Sequence, residues 1–332
     1  MTVLRGGGRA DRPHRARRRI VQGLAVLGLA LVALLVLMSA RAEGPATNPF
    51  HSPVVVRPPK PPPAKLPARS SYGIAIAPAA ERVTVKLKLG LRSGLLFDVK
   101  TGQVLWARNP SRVMPMASLT KMMTGLVVAA HASPRARVLI TSDALQYTGS
   151  GIGLLPKGKR VPLTALLYGL FLPSGNDAAI ALADYVARTQ SRFIALMNQR
   201  AHELGLVCTH FSTVSGIVDQ GNYSCAKDLA VIADKLLDQP LLATIVGSRS
   251  AILPFPIKGG KLYLYNNNPL LLLRYPGADG VKTGFTDAAG QCLVATARRG
   301  NRWLGVVLLH SGDTTTQAQQ LLNAGFTKLA KS

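Results

Sequence analysis

Cysteine is scarce in this 332-residue sequence, with three in all, at positions 208, 225 and 292. That is too few for a disulfide scaffold. No Cys or His grouping has metal-ligand spacing, so zinc-finger folds are excluded and neither a metal nor another cofactor is expected. Acidic residues are also few, 15 against 40 Lys+Arg, for a formal charge of +25. Aromatic residues make up 5% and are not interleaved with the basic ones. With no recognition motif either, specific nucleic-acid binding is not expected. Only one long apolar run occurs, which argues against a polytopic membrane protein. A 48% apolar content, periodic through most of the chain after about residue 70, excludes a disordered chain.

The charge is unevenly spread. Residues 1–42 hold eight Arg and one Asp, so the remainder still carries +18. An anionic partner such as lipid headgroups or a wall polymer fits this excess, as does a solvated surface. Seven Arg precede Ile20, and Ile20 to Ala40 then runs for 21 residues without a charge. Positive charge before the run keeps that end cytoplasmic and delivers the downstream chain across the membrane. A signal peptide has an apolar core of about 7 to 15 residues, whereas spanning takes about 20, so the reading is a retained single-pass anchor. Cleavage near Ala40-Arg41-Ala42, with secretion, is the alternative.

The expected organisation is a basic cytoplasmic tail over 1–19, a transmembrane anchor or uncleaved signal over 20–40, a proline-rich linker over 41–70 and a catalytic domain over 71–332. Nine prolines between Pro45 and Pro67 make the linker an extended spacer. Val83 to Leu89 alternates like a half-buried strand, and Ser93–Asp98 with Gln103–Ala107 reads as a hairpin. Helical patterns cover Ser118–His131, Leu163–Phe171, Asp177–Val186, Arg192–Leu204 and Gln317–Leu322, with strands at Leu293–Ala297 and Trp303–Leu309. Strands at both ends around a helical middle give an α+β class, with a sheet whose halves are far apart in sequence.

Three short motifs carry chemistry. In Ser118-Leu119-Thr120-Lys121 the serine and lysine are three apart, so on a helix they share a face and the amine can take the hydroxyl proton. A helix starting there also aims free N–H groups at a developing oxyanion. The pattern is weak alone, since Ser224-Cys225-Ala226-Lys227 repeats it in what reads as ordinary loop-to-helix sequence. Only Ser118 has both Ser174-Gly175-Asn176 and Lys282-Thr283-Gly284 downstream of it, in that order. Taken singly, the former reads as a helix N-cap and Lys282 as a solvated strand end. In that order, the three are the arrangement of active-site-serine enzymes acting on penicillin and on D-alanyl-D-alanine.

With these motifs the chain resembles the serine-type D-alanyl-D-alanine carboxypeptidases, the low-molecular-weight penicillin-binding proteins of peptidase family S11. The likeness runs from about Leu91 to Phe326, through Pro115–Thr124, Pro173–Ala179, Met197-Asn198, Ala201–Gly205 and Asp279–Thr286. It implies a β-lactamase/transpeptidase-like antiparallel sheet flanked by helices, with a mainly helical subdomain and a cleft between them. It implies that Ser118 is the nucleophile and acyl-ester site, Lys121 the general base, Ser174 a proton relay and Asn176 a clamp on Lys121 and the substrate amide. Lys282 and Thr283 are expected to take the substrate carboxylate, and Gly284 to admit its backbone. The N–H groups of Ser118 and Phe285 form the expected oxyanion hole. The substrates implied are peptidoglycan stem peptides ending in D-Ala-D-Ala, with β-lactams as covalent inhibitors and the N-terminal segment in the cytoplasmic membrane.

Departures from the family pattern accompany the likeness. Many relatives have an arginine before the last helix, where this chain has Gly312-Asp313-Thr314-Thr315-Thr316-Gln317. Many also carry a C-terminal amphipathic anchor, whose place the N-terminal segment and spacer are expected to take. In an exported protein Cys208 and Cys225 are expected to pair across a Gly-containing loop, and Cys292 to be a buried strand thiol. Gly149–Gly153 reads as a flexible cleft-edge loop, and His131, His202, His210 and His310 as structural or surface residues. The alternatives are a β-lactamase and a non-catalytic wall scaffold on the same fold. Against the former, Glu203 is the one glutamate between the second and third motifs and lacks the accompanying asparagine, which favours slow deacylation.

Overall fold

The computed structural model describes residues 75–76, 82–87 and 90–330. The N-terminal tail, the apolar run Ile20–Ala40 and most of the proline-rich stretch lie outside them. Among the described residues no helix is long and apolar enough to cross a membrane.

The chain enters as β1 (Ala75–Ile76), the hairpin β2 (Leu91–Asp98) and β3 (Gln103–Arg108), and the short β4 (Met114–Pro115). A 3-10 turn, Ala117–Thr120, leads into α1 (Lys121–His131). Next come β5 (Arg137–Leu139), β6 (Arg160–Pro162), α2 (Leu163–Phe171), α3 (Asn176–Ala187) and α4 (Gln190–Glu203). Then follow β7 (Tyr223–Ser224), α5 (Ala226–Leu237), α6 (Pro240–Gly247), the hairpin β8 (Ser250–Pro254) and β9 (Lys261–Tyr265), and α7 (Pro269–Leu272). The last elements are β10 (Ala278–Thr286), β11 (Gly290–Arg299), β12 (Arg302–Ser311) and α8 (Thr314–Leu329).

The main sheet has the order β1-β3-β2-β12-β11-β10, antiparallel except for β1 beside β3. Its centre joins Asp98 to Leu304 and Leu91 to Ser311, so the early and late halves of the chain meet there, as the α+β reading requires. Both faces are covered. Leu95, Phe97, Val294, Val307 and Leu309 pack with α1 to α6, while Leu96, Leu293, Ala295, Val306 and Leu308 pack with α8. A sheet buried on both sides reads as continuous apolar runs, the pattern of β11 and β12. The β2–β3 turn is fixed by Asp98, whose Oδ1 accepts from Lys100 N and Thr101 N at 2.9 Å each, with Gly102 at φ 70°.

The alternation after Val83 does not make a strand. Over 82–87 side chains do alternate in exposure, but Val83 N donates to Leu105 O at 2.8 Å and no ladder forms. β1 takes the outer edge of β3 at Gln103 and Val104, and beyond them this segment reaches Leu105 O alone. Residues 88–89 of that stretch lie outside the described residues. The last helix is longer at both ends than its apolar period indicated; it starts early because Asp313 caps it by accepting from Thr315 N at 2.9 Å and Thr316 N at 3.0 Å, and it runs on to Leu329.

Candidate active site

The serine-bearing turn is held before its chemistry begins. Met114 and Pro115 pair with Ser224 and Tyr223, which anchors the approach. Ala117 then takes φ 48°, a left-handed conformation costly for a residue with a Cβ, and brings the chain into the 3-10 turn. Ser118 sits in that turn and Lys121 opens α1, so the spacing of three places the amine beside the hydroxyl.

Lys121 is fully buried, and its Nζ has three oxygens around it: Ser118 Oγ at 2.9 Å, Asn176 Oδ1 at 2.6 Å and the Ser215 carbonyl at 2.8 Å. Asn176 Nδ2 donates to Thr148 O at 2.6 Å, which fixes its amide so that Oδ1 faces the lysine. The Asn176 and Ser215 oxygens can only accept, so they consume two N–H bonds. A neutral amine then keeps its lone pair for the Ser118 hydroxyl. Burial holds this amine well below the ordinary lysine range; the Lys282 charge pushes the same way, and Asp177 opposes both.

Asn176 owes its position to a change of hand in the chain. Ser174 has φ 65° and Gly175 occupies the N-cap position of α3 without a side-chain cap, so the motif is not a serine-capped helix start. The Ser174 hydroxyl is nearly buried and makes no hydrogen bond among the described residues. Gly149–Gly153 is tied down more firmly than a flexible edge. Its Ser150 carbonyl accepts from Asn176 N at 2.7 Å, while Ile152 N and Gly153 N donate to the two Asp177 oxygens at 2.9 Å each.

β10 supplies the opposite wall. Lys282 is buried rather than solvated, with Nζ donating to Thr283 O at 2.9 Å, and burial brings its amine down to about 7. A Cβ on Gly284 would stand 3.2 Å from Ser118 N and 3.0 Å from Met116 O, so a side chain here would press on the serine turn. The Phe285 side chain points outward and is 65% exposed. Thr286 Oγ1 donates to Asp219 Oδ1 at 2.8 Å, joining the end of β10 to the segment that carries Ser215. Cys208 and Cys225 close that segment with a disulfide, and Cys292 is a buried free thiol on β11 whose proton burial holds up to about 12.

Ser118, Lys121, Asn176 and Gly284 thus converge, with Lys282 acting on Lys121 through its charge. No arginine stands between β12 and α8, where Asp313 serves as the helix cap. Glu203 is exposed at the end of α4 and ion-paired with Arg200 at 3.0 Å. The motifs did not disclose the Ser215 carbonyl, because a backbone acceptor leaves no trace in residue type. Asp177, next to the second motif, and Thr120, inside the first, were open to view.

The sequence profile of the D-alanyl-D-alanine carboxypeptidases, peptidase family S11, matches residues 81–312. The chain belongs to this family. The D-alanyl-D-alanine carboxypeptidase DacF of Bacillus subtilis is 34% identical over 242 residues, covering 71% of this chain and 61% of the relative. DacA of Escherichia coli K12 is 36% identical over 254 residues, covering 72% and 61%. The chain therefore spans about three-fifths of the length of these curated family members. Among solved structures, the Streptomyces K15 DD-transpeptidase superposes with a TM-score of 0.69 at 33% identity, covering 74% of this chain and 100% of that one. The D-alanyl-D-alanine carboxypeptidase of Mycobacterium tuberculosis H37Rv gives 0.68 at 31%, covering 74% and 96%. The fold is that of the family, an antiparallel sheet flanked by helices.

Proposed function

We propose that this chain is a penicillin-binding serine D-alanyl-D-alanine carboxypeptidase that removes the terminal D-Ala of peptidoglycan stem peptides. The observation that carries the reading is the enclosed Lys121 amine with Ser118 Oγ, Asn176 Oδ1 and the Ser215 carbonyl around it; burial and Lys282 both favour its neutral form, which leaves a lone pair for Ser118.

Ser118 Oγ attacks the carbonyl of the penultimate D-Ala as its proton passes to Lys121. The resulting oxyanion is received by the N–H groups of Ser118 and Phe285, brought close by the absence of a side chain at Gly284. The C–N bond then breaks, and the amine of the terminal D-Ala departs with a proton delivered from Lys121 through the Ser174 hydroxyl. Water, deprotonated by the same base, attacks the ester and releases the shortened peptide and Ser118. Charged Lys282 and the Thr283 hydroxyl hold the terminal carboxylate, whose arrival restores to Lys282 the proton that burial loosens. β-Lactams acylate Ser118 by the same attack. Transfer of the acyl group to an amine instead of water shares every step to the ester, and the K15 neighbour is named a DD-transpeptidase.

For location, the reading is a single membrane pass over residues 20–40 with the catalytic part outside the cytoplasm, supported by the charge-free apolar run after seven Arg. Membrane fractionation of the full chain beside a form lacking residues 1–41 tests it, and equal release of both into the soluble fraction counts against an anchor. Activity is tested by intact-mass analysis with benzylpenicillin and by D-Ala release from a D-Ala-D-Ala peptide, beside Ser118→Ala. The expected result is a one-to-one adduct lasting hours and absent from the variant. Fast turnover without accumulation points to a β-lactamase, and neither adduct nor turnover to a scaffold.

A further inference from the structure

The oxyanion donor Ser118 N–H shares its peptide group with the Ala117 carbonyl. Whatever orients that carbonyl therefore aims the N–H. Thr120 Oγ1 donates to Ala117 O at 2.8 Å, and Asn222 Nδ2 stands 2.7 Å from the same Thr120 oxygen. Because a carbonyl can only accept, the single Thr120 hydroxyl proton belongs to Ala117 O. The hydroxyl must then receive its second hydrogen bond, so Asn222 presents its NH₂ end. The direction of the chain is fixed: Asn222 amide to Thr120 hydroxyl to Ala117 carbonyl.

Three further observations show that this chain serves the serine turn. Ala117 is held at φ 48°, a strained conformation that persists only where surroundings impose it. A Cβ on Gly216 would land against the Ala117 carbonyl, so the 208–225 segment presses on this peptide from a second side. Asn222 is wholly buried, yet its Oδ1 has no partner, an arrangement that favours placement of the NH₂ over stability. The segment bearing Asn222 is itself fixed by the pairing of Tyr223 with Pro115 and by Asn222 N donating to Asp219 O at 3.1 Å.

We propose that Thr120 and Asn222 are positioning residues for the oxyanion hole, acting through the Ala117 carbonyl to orient and polarise the Ser118 N–H. A hydrogen bond accepted by the carbonyl of a peptide strengthens donation by its N–H. The effect is therefore greatest when negative charge develops on the substrate oxygen. The inference rests on the function proposed above.

The test uses the full chain with Thr120→Val, Thr120→Ser and Asn222→Leu. Acylation by benzylpenicillin is followed by intact mass over a concentration series, separating the saturating rate from the half-saturating concentration. Affinity for a phenylboronic acid, whose tetrahedral serine adduct carries the oxyanion, is measured alongside. Thr120→Val should lower the saturating rate roughly tenfold or more at unchanged half-saturation, and weaken the boronate by a similar factor. Thr120→Ser should stay within about threefold of the native chain, because it keeps the hydroxyl. Asn222→Leu, which cannot donate, should follow Thr120→Val and provides the comparison if that variant does not fold. Native rates in Thr120→Val or in Asn222→Leu, equal losses in Thr120→Ser and Thr120→Val, or a loss confined to half-saturation would overturn the proposal. A native chain that forms no adduct at all overturns the proposed function itself, and this inference with it.

Discussion

Lys121 and Lys282 are both enclosed, yet neither has a carboxylate as a hydrogen-bond partner. Two buried amines that repel one another titrate as a pair, and opposite states suit the tasks proposed for them: neutral for Lys121 as base, charged for Lys282 as carboxylate holder. The kcat/KM of D-Ala release should therefore be bell-shaped in pH. It falls on the acid side as Lys121 gains a proton, and on the alkaline side from about 7 as Lys282 loses one. In Lys282→Arg, whose guanidinium keeps its charge, a rate profile over pH 5 to 10 should show the alkaline limb moved upward; an unmoved limb would assign it elsewhere. The same burial acts on stability. An unfolded lysine stays protonated to about 10.4, whereas the folded Lys282 releases its proton near 7, so the native chain gains stability as pH rises between those values. Lys282→Met should melt a few degrees higher than the native protein at pH 7 while losing affinity for carboxylate-ended substrates. Residues that act through side-chain type at fixed spacing, such as Ser118, Lys121 and Lys282, were legible in the sequence. The Thr120–Asn222 link spans about a hundred positions and joins two common residue types, so nothing local announced it.

At the scale of elements, the segment between Cys208 and Cys225 has no regular structure until β7, yet it touches the site repeatedly. Its Ser215 carbonyl accepts from Lys121, Val214 O accepts from Thr124 Oγ1 at 2.7 Å, and Asp219 accepts from Thr286. Opening the disulfide should cost about 3 kcal/mol on the loop-entropy estimate. Thermal melts with and without reductant should differ by roughly 6–12 °C at this chain size, and acylation should slow together with the loss. α8 offers a control away from the chemistry. Asp313→Ala removes the acceptor for two N–H groups and should cost about 1 kcal/mol in a denaturant titration, with no change in acylation rate. Elements were readable where one period dominates: the 3.6-residue pattern marked Leu163–Phe171 to the residue, and apolar runs marked β11 and β12. The β8–β9 hairpin has its outward face set with Ile252, Tyr263 and Tyr265, so apolar content did not separate inside from outside there. Val83 to Leu87 has a strand's alternation but meets β3 through one backbone bond, to Leu105 O, and whether a neighbour completes a ladder is a fact of tertiary structure that no local pattern holds.

For the whole molecule, the excess of 40 basic over 15 acidic residues is the dominant long-range feature. Ion pairs absorb little of it: among the described residues they include Arg200–Glu203, Lys235 with Asp234 and Asp238, and Arg298–Asp279. Retention on an anionic wall polymer or on anionic vesicles should therefore weaken steeply between about 50 and 500 mM salt, as the screening length falls from roughly 14 to 4 Å. Cosedimentation across that range measures it, and a salt-independent response would remove charge as the cause.

The seam between β2 and β12 sets a schedule. Leu91 to Asp98 leaves the ribosome with β3 on one side and its other partner still unmade, since Asp98 pairs with Leu304. At about 5 to 20 residues per second, the intervening chain takes roughly 10 to 40 s to synthesise. For that interval the future centre of the sheet is an uncovered edge of Leu95, Leu96 and Phe97, the kind of surface that sticks to its neighbours. Ser118, although encoded early, acquires its β10 wall, Ala278–Thr286, only near the end of synthesis. A nascent chain of this protein thus lacks one wall of the site until nearly complete, while an apolar strand waits through most of synthesis for its partner.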